Sequence, residues 1–542
     1  MRVLLVVSLV AVVLVPLPAQ KKAAEKARPL TDDEKVLHVL SRLSFGPVPG
    51  QFEKVRQLGI DKWIDAQLAP EKLDAQSGAA RRKQYRTLGL TPFAQTDLYD
   101  KMKGETGQNK MANRNAFNQQ VRRELQEYIV DAALYSEAQL FEVLADFWRN
   151  HFSVDVAKDS VRYTATHYET DVIRKNIYGK FKRMLSASST HPAMLVFLDN
   201  HISRAPPSKA ELKQIERTFR RRGSSREQAR EQAEIQKQRG LNENYARELM
   251  ELHTLGVDNG YSQQDVEMVA RAFTGWSVDF GKEGTGFSYK DAMHDRTRKA
   301  VMGRSLPRGR RETGMNEGKA VIDRLCKHKN TAQFIATKLT RYFVNDEPPT
   351  KIIDAAANKF RTTKGDLREV VKTIVKHPEF YDRAHYKAKF KTPLEFVVSA
   401  LRATSTKVDK PNIIVAKVGE LGMPLYGCED PTGWEDTAEA WRDPGVMALR
   451  WQFALQLVRG RVRGMRIPDS FYKGLPADPL DLMDALIKRV VPHGLGSNTY
   501  AVLERVVFKL VQDGGGQGGH GKGKLQKTIV GILLGSPEFQ QQ

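Results

Sequence analysis

Apolar residues recur three and four positions apart along most of this chain, the spacing that places them on one face of a helix. Thr31 and Glu34 form a capping box ahead of Val36, Leu37, Val39, Leu40 and Leu43, and Gly46-Pro47 stops the helix that results. The same period predicts helices from Trp63 to Leu68, over 121–152, over 171–187 and over 241–255, the last ended by Gly256. Further helices are expected over 263–273, 318–343, 352–362, 367–375, 393–402 and 443–459. Strand signals occur only at 277–280 and 287–290, on either side of a glycine-containing turn. The expectation is a mainly α protein: one large multi-helical domain over 31–542 with a short β-hairpin near 277–290.

Three stretches interrupt the pattern. Residues 20–30 read as a basic linker. Residues 201–240 hold 11 Lys and Arg against 5 Glu, with Pro206-Pro207 and Arg220-Arg221-Arg222, and read as a charged insertion or exposed helix. Residues 513–524 hold 7 glycines and read as a flexible loop. That stretch lacks the Gly-Lys-Ser/Thr ending of a phosphate-binding loop. Two apolar helices stop at the same tripeptide, Pro378-Glu379-Phe380 and Pro537-Glu538-Phe539, where proline ends the helix and phenylalanine folds back onto it.

Before the first helix, Met1-Arg2 leads into an apolar run over 3–17 and then Pro18-Ala19. This is the layout of a secretory signal peptide over 1–19, so the mature protein is expected in the periplasm or outside the cell. No later segment reaches 18 uninterrupted apolar residues, so no further transmembrane helix is expected. The 86 Lys and Arg exceed the 64 Asp and Glu by 22, which makes the surface attractive to polyanions. Export directs that attraction toward anionic polysaccharide and away from nucleic acid. Two cysteines, Cys326 and Cys428, exclude a disulfide-dense scaffold and a four-cysteine zinc site, and leave open whether they pair.

Candidate chemistry concentrates on two helices and two loops. Over 241–255, Leu241, Tyr245, Leu249, Leu252 and Leu255 share a face, and Glu248 falls within it, with Asn244 and Glu251 at its edge. A carboxylate aimed at a core needs an ion-pair partner, a metal or a proton. Glu243 and Arg247 lie opposite and read as an ordinary helix ion pair. Over 140–152, His151 sits among Leu140, Val143, Leu144 and Phe147, while Glu142, Asp146 and Arg149 point away. His294-Asp295 follows the expected hairpin. Together Glu248, His151, His294 and Asp295 are candidate acid/base groups, and Glu248, His151 and His294 a candidate site for one divalent metal. Arg271 would clamp a carboxylated or sulfated glycan, and Trp434 and Trp441 would stack on sugar rings. Each has a plainer reading, with the histidines and tryptophans in the core and Glu248 in a buried polar network that orients helices. The chain has no His-Glu-x-x-His, Gly-x-Ser-x-Gly, dinucleotide-binding glycine motif or Cys-x-x-Cys-His.

With these residues in view, the chain resembles the bacterial family called "domain of unknown function 1800". The stretches that carry the likeness are 38–46, Phe147-Trp148-Arg149-Asn150-His151-Phe152, 192–200, 242–256, 261–276, His294-Asp295, 331–349, 389–402, Gly433-Trp434 and 536–540. The main departures are the basic insertion and the Gly-rich stretch. The resemblance implies an exported, mostly helical protein, often encoded beside a sulfatase-like secreted partner, and it transfers no catalytic role. Two functions remain in view: a metal-assisted hydrolase acting on an anionic glycan, and a non-catalytic envelope protein that binds an anionic polysaccharide or a secreted partner.

Overall fold

The computed structural model describes residues 28–73, 75–91, 109–238, 240–279, 286–307, 314–513 and 518–542. The expected signal peptide, most of the basic linker and the tip of the expected hairpin lie outside these residues. The fold is mainly α with short two-stranded hairpins. One continuous cluster of buried apolar side chains runs from Val36 to Phe539. No helix among the described residues is long and apolar enough to cross a membrane.

Three helices with a capping side chain appear where the sequence places them, whereas Pro479–Val490, capped by Asp478, was not expected. The first spans Asp32–Arg42 behind the Thr31/Glu34 capping box. Gln263–Phe273 is capped by Ser262 and Asp265, and Leu367–Val375 by Asp366. Longer runs are broken by local hydrogen bonds that periodicity does not register. The 121–152 run is two helices, Asn109–Tyr135 and Gln139–His151, because Gln139 turns its amide back onto the carbonyls of Ala133 and Ser136. The 318–343 run divides into Met315–Lys327 and Lys329–Phe343 at His328, whose extended backbone and Nδ1 cap the second helix. The 171–187 run becomes a π segment, Tyr168–Ile173, a short 3-10 turn and the helix Phe181–Ser189.

The hairpin near 277–290 is present, with Trp276–Val278 antiparallel to Phe287–Tyr289. Two more hairpins, of two residues per strand, pair Ala300–Val301 with Arg304–Ser305 and Lys407–Val408 with Met465–Arg466. Strands that short leave no alternation to read. The Gly-rich stretch corrects a second expectation. Residues 518–524 belong to the helix Gly518–Gly535, which buries Leu525, Ile529, Val530, Leu533 and Leu534. That stripe lies downstream of the glycines, and its packing extends the helix back through residues that disfavour it by about 1 kcal/mol each.

Both Pro-Glu-Phe stops fold as expected, with Phe380 and Phe539 buried. The chain end pairs with the segment before Pro393: Lys391 N–H donates to the Gln540 carbonyl at 2.8 Å, and Gln542 N–H to that of Lys389 at 2.9 Å. Fully buried Arg450 locks this junction by donating to the Lys391 carbonyl and to Gln540 Oε1, both at 2.8 Å.

The charged insertion is an arm of two antiparallel helices, Lys209–Arg221 and Arg226–Gln238. Ser208 with Glu211 and Ser225 with Gln228 form reciprocal caps, and Gly223 turns the chain between the helices at φ +95°. Leu212, Ile215 and Phe219 supply the first helix with an apolar stripe, and the second buries Ala229 and Ala233. The two helices pack on each other and on no other described element to a comparable extent. At the base, Arg204 N–H donates to the Gly240 carbonyl, and Ala205 N–H to that of Met293.

Candidate functional site

The helix carrying Glu248 spans Asn244–Glu251, shorter than its apolar pattern, and starts where the Asn242 side chain accepts the Asn244 N–H at 2.8 Å. Tyr245 and Leu249 are buried, Glu248 is half-buried and Asn244 is exposed. Arg247 lies 3.7 Å from Glu243, the expected pair, and 3.3 Å from Glu251. Glu251 is therefore ion-paired, whereas the Glu248 carboxyl has no hydrogen bond or ion pair among the described residues. Burial, and then the negative charges of Glu251 and Asp430, push its pKa up to about 7.

The structure does not bring His151 or His294 to this carboxyl. His151 is 2% exposed, stacked on Phe147, edge-on to Trp148 and Phe152, with Nε2 3.3 Å from the His253 carbonyl oxygen. Burial, with Lys338 and His253 adding positive charge nearby, holds its pKa well below the ordinary value, so it is neutral. His294 donates from Nδ1 to the Thr274 carbonyl at 2.9 Å, and its Nε2 lies 3.5 Å from Glu317. No group of three or more His, Cys, Asp or Glu residues placed to hold a metal occurs among the described residues. The proposed ligand set of Glu248, His151 and His294 is therefore not assembled, because each histidine is held in its own packed layer with one ring nitrogen on a backbone carbonyl, His151 on that of His253 and His294 on that of Thr274.

His294, Asp295 and Arg271 do meet, within a network the sequence reading missed. Arg271 donates to Asp295 at 2.9 Å and to Glu267 at 2.7 Å, so both faces of the expected anion clamp are taken. Asp295 also accepts from the Thr297 N–H and hydroxyl, and buried Lys299 reaches Glu317 at 2.7 Å. Burial would raise the Asp295 pKa, but the Thr297 hydrogen bonds, Lys299 and Arg271 hold it below the usual range. These contacts fasten the loop after the hairpin to two helices.

The largest departure lies on the helix Gln139–His151. Glu142, Asp146 and Arg149 do point away from its apolar face, but into a second buried layer where none is more than 7% exposed. Arg149 holds Glu169 with two hydrogen bonds of 2.9 and 3.0 Å and Asp146 with one of 2.9 Å. Arg174 grips both oxygens of Glu142, and the Tyr426 hydroxyl donates to Glu169 at 2.7 Å. Burial alone would raise the Glu169 pKa, yet Arg149, Arg174 and Tyr426 together keep it below the ordinary value. Asp146, with one cationic partner, is pushed up to about 6 by burial. Asp146, Arg149, Asn150, Tyr426, Cys428 and Trp434 line a cavity of about 20 Å³, room for a water molecule.

The loop over this layer is set by Asn150, which donates to the Trp434 carbonyl and accepts the Trp434 N–H, both at 2.7 Å. Trp434 is half-buried and lies 6.3 Å from buried Trp441, whose indole N–H donates to the Glu435 carbonyl. Trp441 is thus a packing residue, and Trp434 alone of the pair presents a partly open face. Cys326 and Cys428 are free thiols.

Residues 38–541 match the family model described as "Protein of unknown function (DUF1800)". The chain belongs to this family. No curated protein and no solved structure matches it. In this DUF1800 protein the stretches that carried the sequence likeness include Phe147 to Phe152 and Gly433-Trp434, and they meet at Asn150 in the charged layer. The sequence signal for that layer was Glu142, Asp146 and Arg149 on one helix face, which has the form of a solvated face until Glu169 and Tyr426 arrive from elsewhere in the chain.

Proposed function

We propose that this DUF1800 protein is exported and binds an anionic polysaccharide through the tip of its helical arm. The observation that carries this reading is the run of exposed cations there. Lys213, Arg217, Arg220, Arg221, Arg222 and Arg226 are exposed and have no ion-pair partner among the described residues. Arg230, by contrast, lies 3.7 Å from Glu216. Guanidinium groups left unpaired on a projecting element fit carboxylate and sulfate groups in paired hydrogen-bond geometry. The anionic-polymer choice follows the secretory leader expected at the N-terminus. Affinity resting on such charges falls with salt. Binding of the full chain to a sulfated polysaccharide such as heparin should weaken steeply between about 50 and 500 mM salt. Replacing Arg220, Arg221, Arg222 and Arg226 by Gln should cost roughly tenfold or more at low salt and flatten that dependence. Binding that survives the four replacements, or equal affinity for an uncharged dextran, overturns the proposal.

A second reading, hydrolysis of a glycan, is favoured by Glu248. A half-buried, unpartnered carboxyl with a pKa near 7 is suited to proton transfer near neutral pH. Its raised pKa has a checkable sign. The folded protein holds this proton more tightly than the unfolded chain, so stability from this group is full below about pH 4.5 and is lost as pH rises toward 7. Glu248→Gln should therefore gain stability over the parent above pH 7, by roughly 1 kcal/mol after solvent screening, and match it near pH 4. Denaturant melts at the two pH values measure this. An equal difference at both would place the carboxyl in ordinary solvent.

A further inference from the structure

The first helix buries Ser41 near its C-terminal end, and the segment after the helix Pro479–Val490 carries His493. Between them lies a cavity of about 30 Å³, lined by Ser41, Lys391, Arg489, His493 and Phe539 among others. Ser41 Oγ and His493 Nε2 are 2.9 Å apart, and His493 Nδ1 and the Tyr386 hydroxyl are 3.0 Å apart. The Lys387 ammonium donates to the His493 carbonyl at 2.9 Å, and the Tyr386 ring packs edge-on against the imidazole. The ring is thus held on both nitrogens and along its backbone.

Burial, and then the charges of Lys387 and Lys391, keep His493 neutral. Burial also keeps Tyr386 a phenol. A neutral imidazole whose Nδ1 proton rests on the phenol oxygen has a free lone pair at Nε2, the atom that faces Ser41. Lys391 is buried, its Nζ lies 3.9 Å above the Phe539 ring, and that nitrogen has no hydrogen-bond partner among the described residues. Its backbone is fixed on both sides, through the Gln540 carbonyl and Arg450.

We propose that Ser41 and His493 are a nucleophile and its base for acyl transfer, acting on a short ester of acetyl size whose carbonyl oxygen is met by Lys391. The small size is set by the cavity of about 30 Å³, and the leaving group of the ester would lie outside it. Ser41 Oγ would bond to the carbonyl carbon as its proton passes to His493 Nε2. The ester C–O bond breaks and the departing alkoxide takes that proton. Water then repeats the sequence, giving up a proton to Nε2 and releasing the carboxylic acid with Ser41 restored. The Tyr386 hydroxyl is a positioning group in this scheme. The site is separate from the arm and from Glu248, and stands or falls without them.

The test is p-nitrophenyl acetate added to the full chain, with nitrophenol release followed in time and the acetylated residue found by peptide mass spectrometry. The expected result is acetyl on Ser41 that water removes, no such adduct in Ser41→Ala, and an acylation rate about 100-fold lower in His493→Gln. Mapping the unaltered protein requires no variant to fold. Acetyl on Lys391 or on surface lysines alone, with Ser41 unmodified, overturns the proposal, as does an unchanged rate in a folded His493→Gln.

Discussion

Replacing Arg149 by Ala should cost this protein roughly 3 to 5 kcal/mol, a large part of the stability of an ordinary folded domain. Among the described residues Arg149 is the sole cation within 3.0 Å of both Glu169, which is fully buried, and Asp146. Without it, Glu169 keeps Tyr426 and a more distant Arg174 at 3.5 Å, while Asp146 keeps no cation. Each carboxylate must then ionise unpaired in the interior or take up a proton. The loss should therefore be greater at pH 8 than at pH 5, because acid supplies the missing charge. Arg149→Lys should recover only part of it, since an ammonium cannot reproduce the fork that spans Glu169 and Asp146. Urea denaturation at the two pH values is the measurement. A loss below about 1 kcal/mol at both would mean that water reaches the layer freely.

The same cluster shows what the sequence could and could not convey. The helix start at Thr31 was readable because a cap is local chemistry, the starts after Ser262 and Asp366 were readable from period, and the Asp478-capped helix Pro479–Val490 was not read. The apolar face around Leu140, Leu144 and Phe147 was readable from period alone. The buried polar face of the same helix was not, since Glu142, Asp146 and Arg149 acquire their partners from positions 169, 174 and 426. His151 illustrates the limit from the other side. Its place in an apolar face was correct, but whether it bound a metal or packed depended on the His253 carbonyl more than 100 positions away. Glu248 was identified as a carboxyl in need of a partner, and the structure leaves it with a raised pKa in place of one. His493 gave no signal and Lys391 only its place in the 389–402 stretch, because their cavity forms only when the chain end packs against the first helix.

Gly433→Ala should be the most damaging single-methyl change near Glu248, at about 2 to 4 kcal/mol. Gly433 has φ +80°, a conformation that already costs a residue with a Cβ about 1 kcal/mol. The added methyl would lie 2.5 Å from the Asn150 carbonyl oxygen and 2.6 Å from its side-chain oxygen. The first of these is backbone on a buried helix and cannot rotate away, so the loop must retreat and lengthen both hydrogen bonds between Asn150 and Trp434. Gly460→Ala is the matched control: φ is +64° but nothing lies within 4 Å of the new methyl, so only the conformational cost of about 1 kcal/mol should appear. The difference between the two variants measures how firmly the loop is seated. Retreat also carries Asp430, three residues earlier, away from Glu248 and removes one of the charges that raise its pKa. A folded Gly433→Ala protein should thus show Glu248 titrating below 7 by carboxyl-detected NMR. If the two glycine variants lose equal stability and Glu248 titrates as before, Asn150 does not hold this loop and the Trp434 face owes its position to other contacts.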